Sequence, residues 1–82
     1  MSIADEITQR INAALPGAEL TLTDTRGTED HWHARVVTPL FEGMSRVARQ
    51  RVIYKALGEL MAGPVHALGL TTLTPQQAQD EE

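Results

Sequence analysis

Leu40-Phe41-Glu42-Gly43-Met44-Ser45, then Arg49-Gln50-Arg51-Val52-Ile53-Tyr54, then Val65-His66-Ala67-Leu68 is the part of this chain whose reading decides the fold. A turn hands over to an amphipathic helix, and the helix to a strand that opens on a histidine. Pro39 ends whatever strand precedes it, because it cannot donate to a ladder. Leu40 and Phe41 then supply apolar side chains to plug a core where the chain turns. Ser45 suits a helix N-cap, and the pattern carries that helix to about Ala62. Ile53, Leu57, Leu60 and Met61 share one face, flanked by Ala56 and Tyr54, while Arg51, Lys55 and Gly58 project away from it. Gly63-Pro64 terminates the helix, and Val65 to Leu73 reads as a strand.

Upstream, Ser2 to Leu15 reads as a first helix. Ser2 can cap the amide of Asp5, and Asp5 and Glu6 suit the positive end of the helix dipole. Ile3, Ile7, Ile11 and Leu15 recur every four residues and mark the buried stripe. Pro16-Gly17 stops it. Glu19-Leu20-Thr21-Leu22-Thr23-Asp24 alternates apolar and polar, as a half-buried strand does. After the polar turn Arg26 to Asp30, His31 to Thr38 alternates again. Trp32, Ala34 and Val36 face one side; His31, His33, Arg35 and Val37 face the other. The short connection favours a β-hairpin. Downstream, Thr74-Pro75 restarts a short helix or turn, and the polar stretch Gln76 to Glu82 is expected to fray.

The order is α-β-β-α-β with a short C-terminal helix or turn. It predicts a single α+β domain over residues 1–82, a three-stranded sheet with its helices on one face. A chain of 82 residues buries only about 60% of its unfolded surface, which leaves a thin stability margin. It contains no cysteine, so it can build neither a disulfide nor a thiolate metal site by itself. The start Met1-Ser2-Ile3-Ala4-Asp5-Glu6 lacks the basic and apolar regions of a signal peptide, and no apolar run approaches a membrane span. A soluble, cytoplasmic protein that does not engage membranes is the expectation.

The formal net charge is −4, which argues against a protein whose main task is gripping phosphates. The charge is unevenly spread. Arg46, Arg49, Arg51 and Lys55 crowd into one helix, whereas Asp5, Glu6, Asp80, Glu81 and Glu82 lie near the ends. Arg51 and Lys55 read as a solvated helix face. Arg46 and Arg49 fall near the apolar side of the wheel, where charge is costly unless paired or at a rim, so they can organise a binding edge. There is no cysteine nucleophile, no Ser-x-x-Lys pattern and no glycine-rich phosphate loop, and so no sign of an enzyme.

His66 opens the last strand at an edge that a partner can reach. A histidine at a strand mouth ordinarily just satisfies a backbone group, although a neutral imidazole is also a good ligand for iron. His31 and His33 share a strand face about 6–7 Å apart along the chain. They either join His66 in a histidine surface or lie harmlessly in solvent.

This element order, with Phe41-x-Gly43 before the helix and His66-Ala67-Leu68 opening the last strand, resembles the BolA family from about residue 3 to Pro75. Phe41-x-Gly43-Met44-Ser45, the basic helix ending in Ile53-Tyr54, the pair His31-Trp32 and the closing Thr74-Pro75 all fit. Within the family the chain looks closest to the short YrbA/IbaG-like group. The resemblance implies a fold like a class II KH domain. It also implies a heterodimer with a monothiol glutaredoxin around a shared [2Fe–2S] cluster, held by the glutaredoxin's cysteine, by glutathione and by His66; no cofactor is expected on the isolated chain.

Family members often take a further ligand from a cysteine or histidine between the first two strands. Here Thr25 to Asp30 holds neither, which leaves His31 as the better substitute and His33 as the lesser one. Histidine in place of a thiolate raises a cluster's potential. The family's common Arg-His pair appears here as Arg49-Gln50. A second reading makes the protein a transcriptional regulator that binds DNA or RNA through Arg46, Arg49, Arg51 and Lys55. Against that reading, Glu42 sits where a KH domain keeps its Gly-x-x-Gly clamp. A third reading is a metal-free homodimer joined by an exposed strand edge.

Overall fold

The structure, a computed structural model, describes residues 2–27, 31–63, 65 and 67–81. Helix α1 spans Ile3–Ala14 and starts on a capping box: Ser2 Oγ accepts from the Asp5 amide at 3.1 Å, and the Asp5 carboxylate accepts from the Ser2 amide at 3.4 Å. Such a cap stabilises a helix by about 1 kcal/mol. The stripe anticipated for α1 is buried at Ile7, Ile11 and Leu15, with Ile3 packed at its margin.

Strand β1, Glu19–Asp24, pairs antiparallel with β2, His31–Val37. Asp24 holds the start of the connection by accepting from the amides of Arg26 and Gly27 at 3.3 and 2.8 Å, an Asx turn. β2 is the middle strand and pairs in parallel with β3, Ala67–Leu73. A parallel pair needs a crossover between its strands, and the chain from Thr38 to Val65 supplies it. That crossover begins with a 3-10 turn, Pro39–Phe41, whose N-cap Thr38 bonds the Leu40 amide and whose Phe41 is fully buried.

Helix α2, Arg46–Leu57, follows, capped by Ser45 Oγ on the Ala48 amide at 3.1 Å. The sequence pattern runs this helix on to Ala62, but the structure breaks it at Gly58, which adopts φ 49°, and resumes with the single turn α3, Glu59–Ala62. Glycine takes that left-handed backbone without steric cost. The Leu57 carbonyl, freed by the break, accepts from Arg10 Nη1 of α1 at 2.9 Å. The break therefore doubles as a tie between the two helices.

Helices α1, α2 and α3 cover one face of the sheet, and the core lies between. Ile7, Ile11, Trp32, Ala34, Val36, Phe41, Ile53 and Leu57 meet there with Leu60 and Val65. Burying each large aliphatic side chain stabilises the fold by about 1.5–3 kcal/mol. The predicted short C-terminal element is helix α4, Pro75–Asp80, entered through a second capping box between Thr74 and Gln77. It sits across the end of the sheet. Gln77 reaches toward the helical layer, while Glu81, its C-cap, pairs at 2.8 Å with Arg35 on the opposite face. Val37, whose parity puts it on that opposite face, is thereby buried.

Candidate functional site

The alternation of β2 settles where its histidines go. Trp32, Ala34 and Val36 point into the core, so His31, His33 and Arg35 stand on the other face, half-buried. The parallel register sets His31 opposite Ala67 and His33 opposite Gly69. His31 is thus beside the opening of β3, immediately after His66 in sequence. His66 itself lies outside the described residues. The residues on either side of it are firmly placed. Val65 is fully buried and its amide donates to the Leu60 carbonyl at 2.9 Å, and Ala67 is already in the ladder. The His31 carbonyl accepts from both the amide and the hydroxyl of Thr25, at 2.9 and 3.2 Å, which closes the β1 end of the hairpin beside it.

His33 is committed to its neighbours. Its Nε2 lies 2.9 Å from Thr71 Oγ1. Its ring also lies so close over Gly69 that a Cβ there would come within 2.9 Å of Nδ1. Gly69 and Thr71 were not singled out in the sequence, although a glycine inside a strand is a signal of close approach. Of the two histidines on this face, His31 adjoins the mouth of β3 and His33 is seated two residues further in.

The four basic residues separate into two groups. Arg46, Arg51 and Lys55 are exposed. Arg49 does not join the binding edge expected of it: it is only 8% exposed. Its Nε donates to the Met44 carbonyl at 3.1 Å, and its Nη1 to the Thr72 carbonyl at 3.1 Å and to Gln77 Oε1 at 2.8 Å. Its guanidinium carbon lies 5.5 Å from the centre of the Phe41 ring, a cation–π contact. Gln77 Oε1 also accepts from the Thr74 amide at 2.9 Å, so one side chain closes the cap of α4 and locks α4 to α2. Thr74-x-x-Gln77 has capping-box spacing, a signal readable in the sequence. Arg49 is therefore a structural hub.

Nor are the histidines and the basic helix start one contiguous surface. Arg46 and Gln50 lie against Leu70–Leu73, the far half of β3 from Ala67. At about 3.3 Å per residue that is roughly 10–20 Å from the histidine mouth. Tyr54, 40% exposed, bridges part of the way, with its hydroxyl 3.4 Å from the Leu68 carbonyl.

Among the described residues no three His, Cys, Asp or Glu side chains come together so as to hold a metal ion. The sequence also contains no cysteine. A hollow of about 640 Å³ lies at the other end of the sheet, lined by Glu19, Arg35, Val37, Pro39, Pro75 and Gln79 among others. No helix among the described residues is long and apolar enough to cross a membrane.

Comparison with known proteins agrees with this architecture. BolA-like protein 1 of Mus musculus is 49% identical over 51 residues, which cover 62% of this chain and 37% of that protein. A Vibrio cholerae protein named DNA-binding transcriptional regulator BolA is 39% identical over 54 residues, 66% of this chain and 51% of that one. The chain thus matches well under two thirds of these relatives' own length. The structure of BolA1 from Arabidopsis thaliana superposes with a TM-score of 0.82 at 29% identity, covering 90% of this chain and 93% of that one. The family model for BolA-like proteins matches residues 3–77, and this chain belongs to that family.

Proposed function

We propose that this protein is a non-enzymatic accessory factor of iron–sulfur metabolism. It docks on a monothiol glutaredoxin and lends His66 to a [2Fe–2S] cluster otherwise held by the partner's cysteine and by glutathione. The observation that carries this reading is the register of β2 against β3, which sets His31 opposite Ala67, the first residue of β3 and the one that follows His66 in sequence. Membership of the BolA-like family supports it. His66 and His31 are the residues that would hold the cluster on this side; His33, tied to Thr71, is left out. The cluster supplies the redox and transfer chemistry when bound. This chain's part is to present imidazole beside the start of β3, where Val65 is buried and His31 pairs with Ala67.

The test is anaerobic reconstitution with a monothiol glutaredoxin and glutathione, read by visible absorption, circular dichroism and the mass of the complex. A one-to-one complex whose [2Fe–2S] spectrum changes in His66→Ala, and changes less in His31→Ala, is the expected result. If no heterodimer forms and the glutaredoxin's own spectrum is untouched, the proposal fails.

A second reading, a DNA-binding regulator, draws on the name of the Vibrio cholerae relative and on exposed Arg46, Arg51 and Lys55. With Arg49 internal, three cations remain on α2 for phosphates. Duplex binding through them would lose affinity with salt at a log–log slope of about −2 to −3. Absence of binding at low salt would remove this reading.

A further inference from the structure

The free edge of β3 is half closed by α2, and the part left open has a definite chemistry. The Thr38 amide donates to the Leu73 carbonyl at 3.0 Å, which turns that carbonyl toward the β2 side. Backbone groups alternate along a strand, so Leu68, Leu70 and Thr72 present theirs to the outer edge. Two of those carbonyls are taken by α2: Leu68 by the Tyr54 hydroxyl, and Thr72 by Arg49. No described side chain reaches Leu70, between them.

Opposite Leu70 is a notch of about 280 Å³ lined by Arg46, Gln50 and residues Leu70–Leu73. Arg46, Gln50 and Tyr54 follow at four-residue spacing, so they form one row along the strand edge. Tyr54 in that row is 40% exposed and Val47 beside it 56%, both exposed large apolar side chains. Among the described residues no hydrogen bond or ion pair engages the side chain of Arg46 or Gln50. The neighbouring Arg49 guanidinium is buried against neutral partners alone. Arg46, an exposed cation, therefore lines one small hollow that has no carboxylate in its lining and adjoins unpaired strand backbone.

We propose that this edge is a docking site for an extended acidic segment of a partner protein. The segment's backbone would pair with Leu70, a carboxylate would enter the notch toward Arg46 and Gln50, and apolar side chains would rest on Val47 and Tyr54. This deepens the partner-docking reading above by naming the chemistry of the partner's segment. The hollow admits one or two carboxylates rather than a run of phosphates. The unpaired strand backbone is likewise complementary to peptide and not to nucleic acid.

The test needs neither iron nor glutaredoxin, so its failure and that of the cluster proposal are separable. Metal-free, isotope-labelled protein is titrated with a capped peptide of about eight residues alternating glutamate with valine and threonine, an extended acidic strand of the kind proposed. The glutamine counterpart and a single-stranded DNA oligonucleotide are titrated in parallel. The expected result is amide shifts at Leu70 and Thr72 and along Arg46 to Tyr54 with the acidic peptide. Arg46→Glu, an exposed change that leaves the core intact, should weaken that binding roughly tenfold. A flat titration overturns the proposal. So does equal binding of the glutamine peptide, or displacement of the acidic peptide by the oligonucleotide at the same residues.

Discussion

The two faces of β2 lie one residue apart and do opposite work. Trp32, Ala34 and Val36 enter the helical layer and are buried, while His31, His33 and Arg35 meet a face left partly to solvent. The inner side chains contribute burial, which is large and indifferent to partners. The outer ones contribute hydrogen bonds to specific neighbours: Thr71 for His33, Glu81 for Arg35. Because the side-chain period of a strand is two, no slip of register could exchange one function for the other without unfolding the core. A small domain can thus carry a polar, half-exposed surface directly over its stabilising one.

The sharpest way to break this contrast is Trp32→Ala. Loss of a buried aromatic costs about 3–5 kcal/mol, a large share of what so short a chain possesses. Thermal denaturation should show a protein unfolded or nearly so at 25 °C, and a cooperative transition close to wild type would mean that the inner face does not dominate stability.

Arg49→Met comes next, because it asks whether a charge can belong to the interior. The Thr72 and Met44 carbonyls would lose their donor, at a cost of about 1–3 kcal/mol. Amide exchange should speed up selectively through Thr74 to Ala78, since α4 loses its tie to α2. Unchanged protection there would put Arg49 back on the surface.

Gly69→Ala probes the outer face. The new methyl would meet the His33 ring at Nδ1, so the ring must turn and the contact with Thr71 must open. A stability change of about 1 kcal/mol or less should accompany displaced His33 ring resonances in NMR spectra, with the Trp32 indole signal in place. Movement of both would show that the faces are not independent.

The smallest effect is expected for Arg35→Ala. Its ion pair with Glu81 is 2.8 Å long but has side chains 37% and 46% exposed, and such pairs contribute about 0.5 kcal/mol or less. Chemical denaturation in low and high salt should barely distinguish the variant. A larger loss would make Arg35 part of the fold rather than of its surface.

Much of the architecture was legible because it rests on short-range patterns. The period of four in Ile3, Ile7, Ile11 and Leu15 and the period of two in β2 each announce an element and the face it buries. Ser2, Ser45 and Thr74 are each found as the caps their positions suggested. The break of the second helix was less legible, since a lone glycine in a helical pattern is compatible with continuation. What decides for the break is the satisfaction of the Leu57 carbonyl by Arg10, which is 47 residues away in sequence.

The candidate site divides in the same way. That His31 and His33 share a face followed from alternation, and that a strand, Ala67–Leu73, follows the helix stop was signalled by Gly63-Pro64. Which histidine stands at the mouth of β3 depends on a parallel register that local pattern does not encode. The same holds for Arg49. Its place near the apolar side of the helix was visible, but its partners Thr72 and Gln77 lie 23 and 28 residues further along the chain.

By itself, then, the sequence determined the elements, their order and the side of each that is buried, because helix and strand periods are local and hydrophobic burial is non-directional. The tertiary structure alone decided which polar groups are consumed by the fold, as Arg49 and His33 are. Hydrogen bonds are directional and need both atoms in place, and in this domain those atoms come from segments tens of residues apart.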